Sequence, residues 1–282
     1  MPLAHVNGVA LHYDRQGEGE PLILIPFLTA DHGCFAFQVP AYAPHFCCYS
    51  VDLRGTGASE RGEEGLTIPL FASDIAAFMA ALGLEKAHVL GFSLGGAVAM
   101  TFAAAYPDKV LSASLHSTWP KTDLYVQTVV ESWQAVARTL GDVPEMAIQA
   151  IFPWCFTPEL YQQRPDFIAS LAEFVRARPK QSVSCFIDHA NAVIAHDALA
   201  ELPRIKAPTH ITFGARDVIT STRFAEPLRR AVPHAELEIF EDSSHAPFFE
   251  EADAFNARSL AFLKRQIGNA ANRPVAAAPA PA

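Results

Sequence analysis

The chain has 282 residues, of which 50% are hydrophobic and 18% are charged, and no apolar run reaches the ~18 residues of a membrane span. These values exclude a disordered, collagen-like or membrane-spanning main body, and the length favours one α/β body with an insertion. Asp and Glu number 30 against 21 for Lys and Arg, and the formal charge of −9 at pH 7 repels a phosphate backbone, so no nucleic-acid partner is expected.

Two further features bear on the cellular compartment. The N-terminal residues lack the basic start and the apolar stretch of a secretory signal, which predicts a cytoplasmic protein. The cysteine count is odd and no Cys-x-x-Cys spacing occurs, so we expect reduced and mostly buried thiols. The five cysteines are Cys34, Cys47, Cys48, Cys155 and Cys185.

Short β-branched or leucine-rich runs alternate with longer helical patterns along the chain, which predicts βαβ units and a mostly parallel sheet. A turn at Asn7-Gly8 joins the two opening segments and predicts an antiparallel start to the sheet. Helices are predicted at 67–82, at 94–106 and near the end, where Phe255, Phe262 and Ile267 share a face. The predicted strands are 10–15, 22–26, 47–52, 87–90, 110–116, 209–213 and 235–240.

Residues 119–202 interrupt the alternation because they hold several helical patterns, repeated prolines and no convincing strand. We therefore expect an inserted helical domain, the cap, between the two halves of a core at 1–118 and 203–267. The final stretch, 268–282, is rich in Ala and Pro, has little apolar surface to bury, and is expected to be disordered.

The strongest chemical signal is the pentapeptide Gly91-Phe92-Ser93-Leu94-Gly95, which matches G-x-S-x-G between a predicted strand and an alanine-rich helix. A serine at such a turn is exposed as a nucleophile, and the flanking glycines are needed because a Cβ would clash. A serine hydroxyl is a poor nucleophile near neutral pH, so the chain must also supply a base and a group that orients it.

Asp217 follows the predicted strand 209–213, and His245 follows the predicted strand 235–240. Both therefore lie at the carboxyl edge of the sheet, where open α/β sheets build their sites. The chain order of Ser93, Asp217 and His245 is that of nucleophile-elbow enzymes.

These motifs, together with 52–59 and 244–248, resemble the α/β-hydrolase superfamily over about residues 6–267. The resemblance implies an α/β-hydrolase fold, with a mostly parallel central sheet flanked by helices and a helical cap. It also implies Ser93 as nucleophile, Asp217 as acid and His245 as base. The glycines of 52–59 lack the third glycine and the Lys-Ser/Thr of nucleotide loops, so we interpret this segment as a structural turn.

Two backbone donors are needed for the oxyanion that develops during acyl transfer. One is expected at Leu94, directly after the nucleophile. The second is expected in the loop after strand 22–26, where Pro26-Phe27-Leu28 stands in place of the common His-Gly-x of the family. Aligning the two patterns predicts Leu28 as the donor, with Phe27 as second choice. This loop and the segment 189–209 resemble the enol-lactonase and small carboxylesterase branches.

The cap is rich in aromatic residues, most of which are expected to form its own core. Arg216 and Lys121 are candidate clamps for a substrate carboxylate, whereas His189 and His196 are expected to pack in the cap or face solvent, without metal-ligand spacing around them. Four aromatic residues are candidates for substrate contact: Phe92, Trp119, Trp154 and Phe248.

The sequence therefore predicts hydrolysis of a small-molecule carboxylic ester or lactone with an apolar portion, through an acyl-enzyme on Ser93. This chemistry requires neither a metal nor an organic cofactor. Carbon–carbon bond hydrolases keep the serine but typically carry a tryptophan after the catalytic histidine, where this chain has Ala246, so they are the runner-up. An acyltransferase or perhydrolase on the same triad also remains open, as does a member of the fold that only binds a ligand. Epoxide hydrolases and haloalkane dehalogenases use a carboxylate nucleophile and are disfavoured.

Overall fold

The computed structural model describes residues 2–63 and 65–268, and within them eight strands form one sheet in the order β1-β2-β4-β3-β5-β6-β7-β8. The strands are β1 Leu3–Val6, β2 Val9–Gln16, β3 Glu20–Ile25, β4 Phe46–Val51, β5 Ala87–Phe92, β6 Val110–His116, β7 Thr209–Gly214 and β8 Glu236–Phe240. Each predicted strand is present, with its ends displaced by at most about two residues, because apolar runs of this kind are local signals.

The sheet begins antiparallel and then runs parallel. Strand β1 pairs antiparallel with β2 through a turn at Asn7 and Gly8, whose φ angles of 42° and 78° are those of a tight hairpin, so the predicted turn is confirmed. Strand β2 then pairs antiparallel with β4, and the remaining neighbours from β4 to β8 are all parallel. The carboxyl ends of β5, β7 and β8 therefore meet at one edge.

Twelve α-helices are present among the described residues, and the second and third of them pack in the core against the sheet. The helices are α1 Val39–Tyr42, α2 Ile68–Ala81, α3 Leu94–Ala105, α4 Leu124–Leu140, α5 Val143–Met146, α6 Phe152–Cys155, α7 Pro158–Gln163, α8 Pro165–Ala177, α9 Val183–Ile194, α10 Ala225–Ala231, α11 Pro247–Glu250 and α12 Ala252–Lys264. Helix α2 begins where the Thr67 side chain accepts a hydrogen bond from the Leu70 N–H at 3.2 Å. Helix α3 lies so close to the residues that follow β6 that a Cβ at Gly96 would meet the Thr118 side chain, and the glycine permits this approach.

The sheet is covered on both faces, so its central strands are buried throughout. Ile23 and Ile25 of β3 belong to the apolar layer that includes α2 and α3, while Leu22 and Leu24 belong to the layer with α1 and α12. The last helix is shorter than predicted. It ends at Lys264, so Ile267 leaves its buried face and is 43% exposed, and the prediction for that residue is wrong.

Helices α4 to α9 all lie between β6 and β7, in the segment predicted to form the cap. The two ends of this segment run side by side, because the Thr122 N–H donates to the His196 carbonyl at 2.9 Å and the Ala198 N–H donates to the Pro120 carbonyl at 2.8 Å. Residues 269–282 of the predicted disordered tail lie outside the described residues. In the part of the chain that is described, no helix combines the length and apolar character needed to cross a bilayer.

The five cysteines are free thiols, as the sequence predicts. Four of them are buried, and Cys155 is partly exposed.

Candidate active site

Ser93 lies at the sharp turn between β5 and α3. Its φ of 51° and ψ of −113° lie outside the regions that a non-glycine residue ordinarily adopts, so the turn holds the backbone under strain. The Ser93 N–H donates to the His116 carbonyl at 2.9 Å, and the Ser93 carbonyl accepts from Thr118 Oγ1 at 2.9 Å. A Cβ at Gly91 would meet the Gly95 backbone, and a Cβ at Gly95 would meet the Ile25 carbonyl. The close approach of helix and strand therefore requires both glycines.

Asp217 and His245 meet at the same edge of the sheet. His245 Nδ1 lies 2.9 Å from Asp217 Oδ2, and both side chains are buried. An ionised carboxylate only accepts hydrogen bonds, so Nδ1 carries the proton of this bond and Nε2 is left as the acceptor. The loop after β7 also brings Thr220 Oγ1 to 2.5 Å from Asp217 Oδ2, and the Ile219 N–H to 2.7 Å from Oδ1.

These contacts set the charge of Asp217. Burial alone would raise the pKa of this carboxyl, but the neighbouring His245 and the hydrogen bonds from His245, Thr220 and the Ile219 N–H outweigh it, and the pKa is lowered. Asp217 is therefore ionised at neutral pH. Sequence reasoning missed Thr220. The available signal was a hydroxyl three residues after an aspartate in a turn.

Ser93 and His245 line one cavity between the sheet edge and the cap, which we call the reaction chamber. Its other polar lining residue is Thr29 at the core side. The remaining lining side chains are apolar or nearly so: Phe27, Leu28, Trp133, Ala147, Ile151, Phe152, Cys155, Phe156, Ile219, Ala246, Phe248 and Phe249. The nucleophile candidate therefore faces an environment suited to an apolar substrate.

The predicted oxyanion donors lie at this chamber. Within residues 2–63 and 65–268, the backbone N–H groups of Leu94 and Leu28 donate to no other protein atom, whereas the Phe27 N–H interacts with the Cys34 thiol. The N–H of Leu28 is therefore the less engaged of the two candidate second donors. After Leu28 the backbone turns through Thr29, whose φ is 71°, so the loop is held in an unusual conformation beside Ser93.

The four predicted substrate contacts have different positions. Phe248 lines the reaction chamber, whereas Phe92 is fully buried behind it and stacks on Phe248 with ring centroids 3.8 Å apart. Trp119 and Trp154 are outside the lining. Trp119 donates through Nε1 to Thr122 Oγ1 at 2.8 Å, at the point where the cap joins the core. Trp133, Phe152 and Phe156 supply the cap side instead.

The residues before α7 are bonded to the loop that carries His245, and we call this contact the cap–loop junction. The Ala246 N–H donates to the Cys155 carbonyl at 3.2 Å. The Glu250 carboxylate accepts hydrogen bonds from Thr157 Oγ1 at 2.8 Å and from the Ser244 N–H at 3.1 Å. Burial raises the pKa of Glu250, and these donors oppose the rise. The junction ties the cap to the catalytic loop.

Only one cluster among the described residues brings three potential metal ligands together. Atoms of His12, His32 and Asp52 lie within 4.8 Å of one another. The Asp52 oxygens already accept bonds from His12 Nδ1 at 2.8 Å, from His32 Nδ1 at 2.8 Å, and from the backbone N–H groups of His32 and Ala58. The Asp52 carboxylate is thus a shared hydrogen-bond acceptor for His12, His32 and Ala58.

The remaining candidates are engaged elsewhere. Arg216 pairs with Glu159 and Asp242 on the surface, and Lys121 pairs with Asp197. His189 and His196 are both buried, where they pack as cap residues. None of these four candidate side chains lines the reaction chamber.

Comparison with known proteins agrees with this fold. A sequence model described as the alpha/beta hydrolase fold matches residues 20–252. The pimeloyl-[acyl-carrier protein] methyl ester esterase of Chromobacterium violaceum is 31% identical over 261 residues, which cover 89% of this chain and 96% of that protein. The 3-oxoadipate enol-lactonase 2 of Acinetobacter baylyi is 25% identical and covers 94% of this chain and 99% of its own. A crystal structure of the enol-lactonase from Burkholderia xenovorans LB400 superposes with a TM-score of 0.83 at 27% identity, covering 93% of this chain and 100% of that chain.

Proposed function

The chain belongs to the α/β-hydrolase family, and on this premise we propose that it is a serine hydrolase that cleaves a carboxylic ester or lactone through an acyl-enzyme on Ser93. The observation that carries the proposal is the reaction chamber, whose wall is shared by Ser93 on its elbow and by His245 bonded to Asp217. Relatives named as a methyl ester esterase and an enol-lactonase support this choice of substrate bond.

The proposed reaction has two halves. In the first, Ser93 Oγ attacks the carbonyl carbon while His245 Nε2 takes the hydroxyl proton, which it then gives to the departing alcohol. Asp217 stays ionised and stabilises the imidazolium that forms. In the second half, His245 takes a proton from the water that attacks the acyl-enzyme and returns it to Ser93 Oγ as the bond to the acyl group breaks and the acid leaves.

The backbone N–H groups of Leu94 and Leu28 are proposed to receive the oxyanion in both halves, with Phe27 as the alternative second donor. Backbone donors of this kind are held in place before the reaction, and each is worth about 10²- to 10³-fold in rate. Because the donors are backbone groups, the replacement of the common His-Gly-x by Pro26-Phe27-Leu28 leaves the function available. We also propose the boundaries of the cap at 119–202 and of the core at 1–118 and 203–267.

The test is hydrolysis of p-nitrophenyl esters from acetate to decanoate beside a panel of small lactones. Ser93→Ala should abolish turnover and also labelling by a fluorophosphonate, which reacts only with an activated serine. Ser132→Ala is a matched control on an exposed face of α4 and should keep both properties. Labelling or turnover that survives in Ser93→Ala would remove Ser93 from the mechanism. An unlabelled wild type would favour a ligand-binding role.

A further inference from the structure

A second cavity adjoins the reaction chamber, and we call it the side chamber. The two chambers are adjacent, because they share five lining residues: Phe27, Thr29, Ala147, Phe152 and Phe249. The side chamber differs in chemistry because Asp31, Arg178 and Gln181 are among the residues that line it. A ligand that fills both chambers therefore meets an apolar wall around Ser93 and polar side chains farther on.

Arg178 is fixed in the wall of the side chamber. Its Nε donates to the Asp31 carboxylate at 2.9 Å and 3.0 Å, while its Nη2 forms an ion pair with Asp31 Oδ1 at 2.8 Å and donates to His32 Nε2 at 3.0 Å. The guanidinium packs on Gly33, where a Cβ would come within 2.8 Å of Cζ, and it lies 5.6 Å from the ring centroid of Phe174. Within the described residues, Nη1 has no hydrogen-bond partner. The fixed guanidinium therefore keeps one unused donor group.

Gln181 supplies the complementary group. Its side chain is 8% exposed and lines the side chamber. Nε2 donates to Cys185 Sγ at 3.6 Å, while Oε1 is buried and receives no hydrogen bond from the described residues. A buried acceptor without a donor is costly, and such atoms in native proteins call for a specific partner. Two residues that line the side chamber, Arg178 and Gln181, therefore have an unused donor and an unused acceptor.

The charges around Arg178 decide which ligand group suits these atoms. Asp31 neutralises the guanidinium, and the buried Asp52 lies behind His32, so the wall holds no uncompensated positive charge. A carboxylate would face Asp31 and the Gln181 carbonyl oxygen, both of which repel it. A hydroxyl or a primary amide accepts one hydrogen bond and donates another, so it satisfies both unused groups.

We infer that the side chamber is a second substrate subsite, which binds an uncharged hydroxyl or amide group at the far end of an apolar ester or lactone. The inference rests on the proposed function, since the apolar body of the same molecule would place its carbonyl carbon at Ser93. It narrows the substrate class from apolar esters to esters that carry a distal, uncharged hydrogen-bonding group.

The first experiment compares p-nitrophenyl esters of straight-chain acids from butanoate to decanoate, each ended by a methyl, hydroxyl, carboxamide or carboxylate group. At the chain length that spans the two chambers, the hydroxyl or carboxamide end should raise kcat/KM over the methyl end by about 3- to 10-fold, the gain of a net hydrogen bond. The carboxylate end should lower it. The preference should fade at shorter lengths, because the end group no longer reaches Gln181.

The second experiment removes the acceptor. Gln181→Met keeps the length of the side chain without its polar atoms, and it should bring the hydroxyl-to-methyl ratio of kcat/KM close to one. Gln149→Met, on an exposed face of the cap, is the matched control and should keep the wild-type ratio. If Gln181→Met does not fold, Arg178→Lys tests the same subsite, because lysine retains the charge opposite Asp31 and lacks Nη1.

A direct binding measurement separates this inference from the proposed function. Ser93→Ala protein is titrated by calorimetry with methyl esters of the same acids, and the hydroxyl-ended ester should bind about 3- to 10-fold more tightly than the methyl-ended one. Adding Gln181→Met should remove the difference. Equal binding of both esters, or a preference that survives Gln181→Met, overturns the subsite. Turnover that does not depend on Ser93 overturns the proposed function. The calorimetric result is then judged separately, because it tests only the binding of the distal group.

Discussion

His189 lies on α9, between the cap and the core. Its Nε2–H donates to the Arg54 carbonyl at 2.7 Å, and its ring centroid lies 5.0 Å from that of Phe71. Burial disfavours the charged ring, and the pKa of His189 is lowered from 6.5 to about 4. Between these values the unfolded chain binds a proton that the folded protein excludes. Stability is therefore retained above pH ~6.5 and lost as the pH falls from there towards 4.

The size of the effect follows from the two pKa values. Going from about pH 7 to about pH 5, protonation of the unfolded chain at this one position lowers the free energy of unfolding by about 2 kcal/mol. His189→Gln keeps a donor for the Arg54 carbonyl and cannot titrate. The variant should therefore lose about 2 kcal/mol less than the wild type over this interval, whatever its stability at neutral pH.

Urea denaturation at the two pH values measures the difference for each protein. His45→Gln is the matched control, because His45 is exposed and its removal should leave the wild-type difference unchanged. An equal loss of stability in the wild type and in His189→Gln would refute the reasoning, since the ring would then be protonated equally in both states.

Three further changes test the site and its support. Thr220→Val removes the hydroxyl that donates to Asp217, a charge-assisted hydrogen bond worth about 1.5 kcal/mol or more, so kcat should fall about 10-fold. Thr220→Ser should restore kcat. A change in KM alone would contradict this positioning role. Gly95→Ala places a Cβ against the Ile25 carbonyl, so Tm and kcat should fall together, and unchanged values would show that the elbow tolerates a side chain. The hydrogen bonds to Asp52 outweigh its burial and lower its pKa, so its contribution to the free energy of unfolding exists above pH ~4 and is lost below. Asp52→Asn should therefore lower the free energy of unfolding by about 2 kcal/mol at neutral pH and by less in acid. A difference between variant and wild type that stays constant with pH in urea unfolding would argue against this reasoning.

The elements that the sequence predicts well are those whose signals are local. Runs of apolar residues mark the strands, and the Asn7-Gly8 turn requires the hairpin because few residues adopt its positive φ angles. The sequence signal of the elbow around Ser93 is also local, since the contacts that require its glycines lie within one strand–helix turn and the neighbouring strand. These features need no knowledge of how distant segments pack.

The lining of the chambers could not be predicted in the same way. Trp119 and Trp133 are equally aromatic and both lie in the cap segment, but only Trp133 reaches the reaction chamber, because that depends on how α4 and α9 pack. The ion pair of Arg178 and Asp31 joins positions 147 residues apart, and no periodicity in the sequence predicts it. Sequence reasoning considered Arg216 as a clamp because of its place beside Asp217, whereas the structure directs that side chain to the surface.

The cap–loop junction has a consequence for the exchange of segments between homologous proteins. Thr157 enters with the helical insertion, whereas Glu250 and Ser244 belong to the C-terminal part of the core. A chimera cut at the two ends of the insertion would separate these partners and leave a half-buried carboxylate with fewer donors beside His245. The insertion and the C-terminal loop are therefore a single unit of recombination, although nearly a hundred residues separate their partners in the chain.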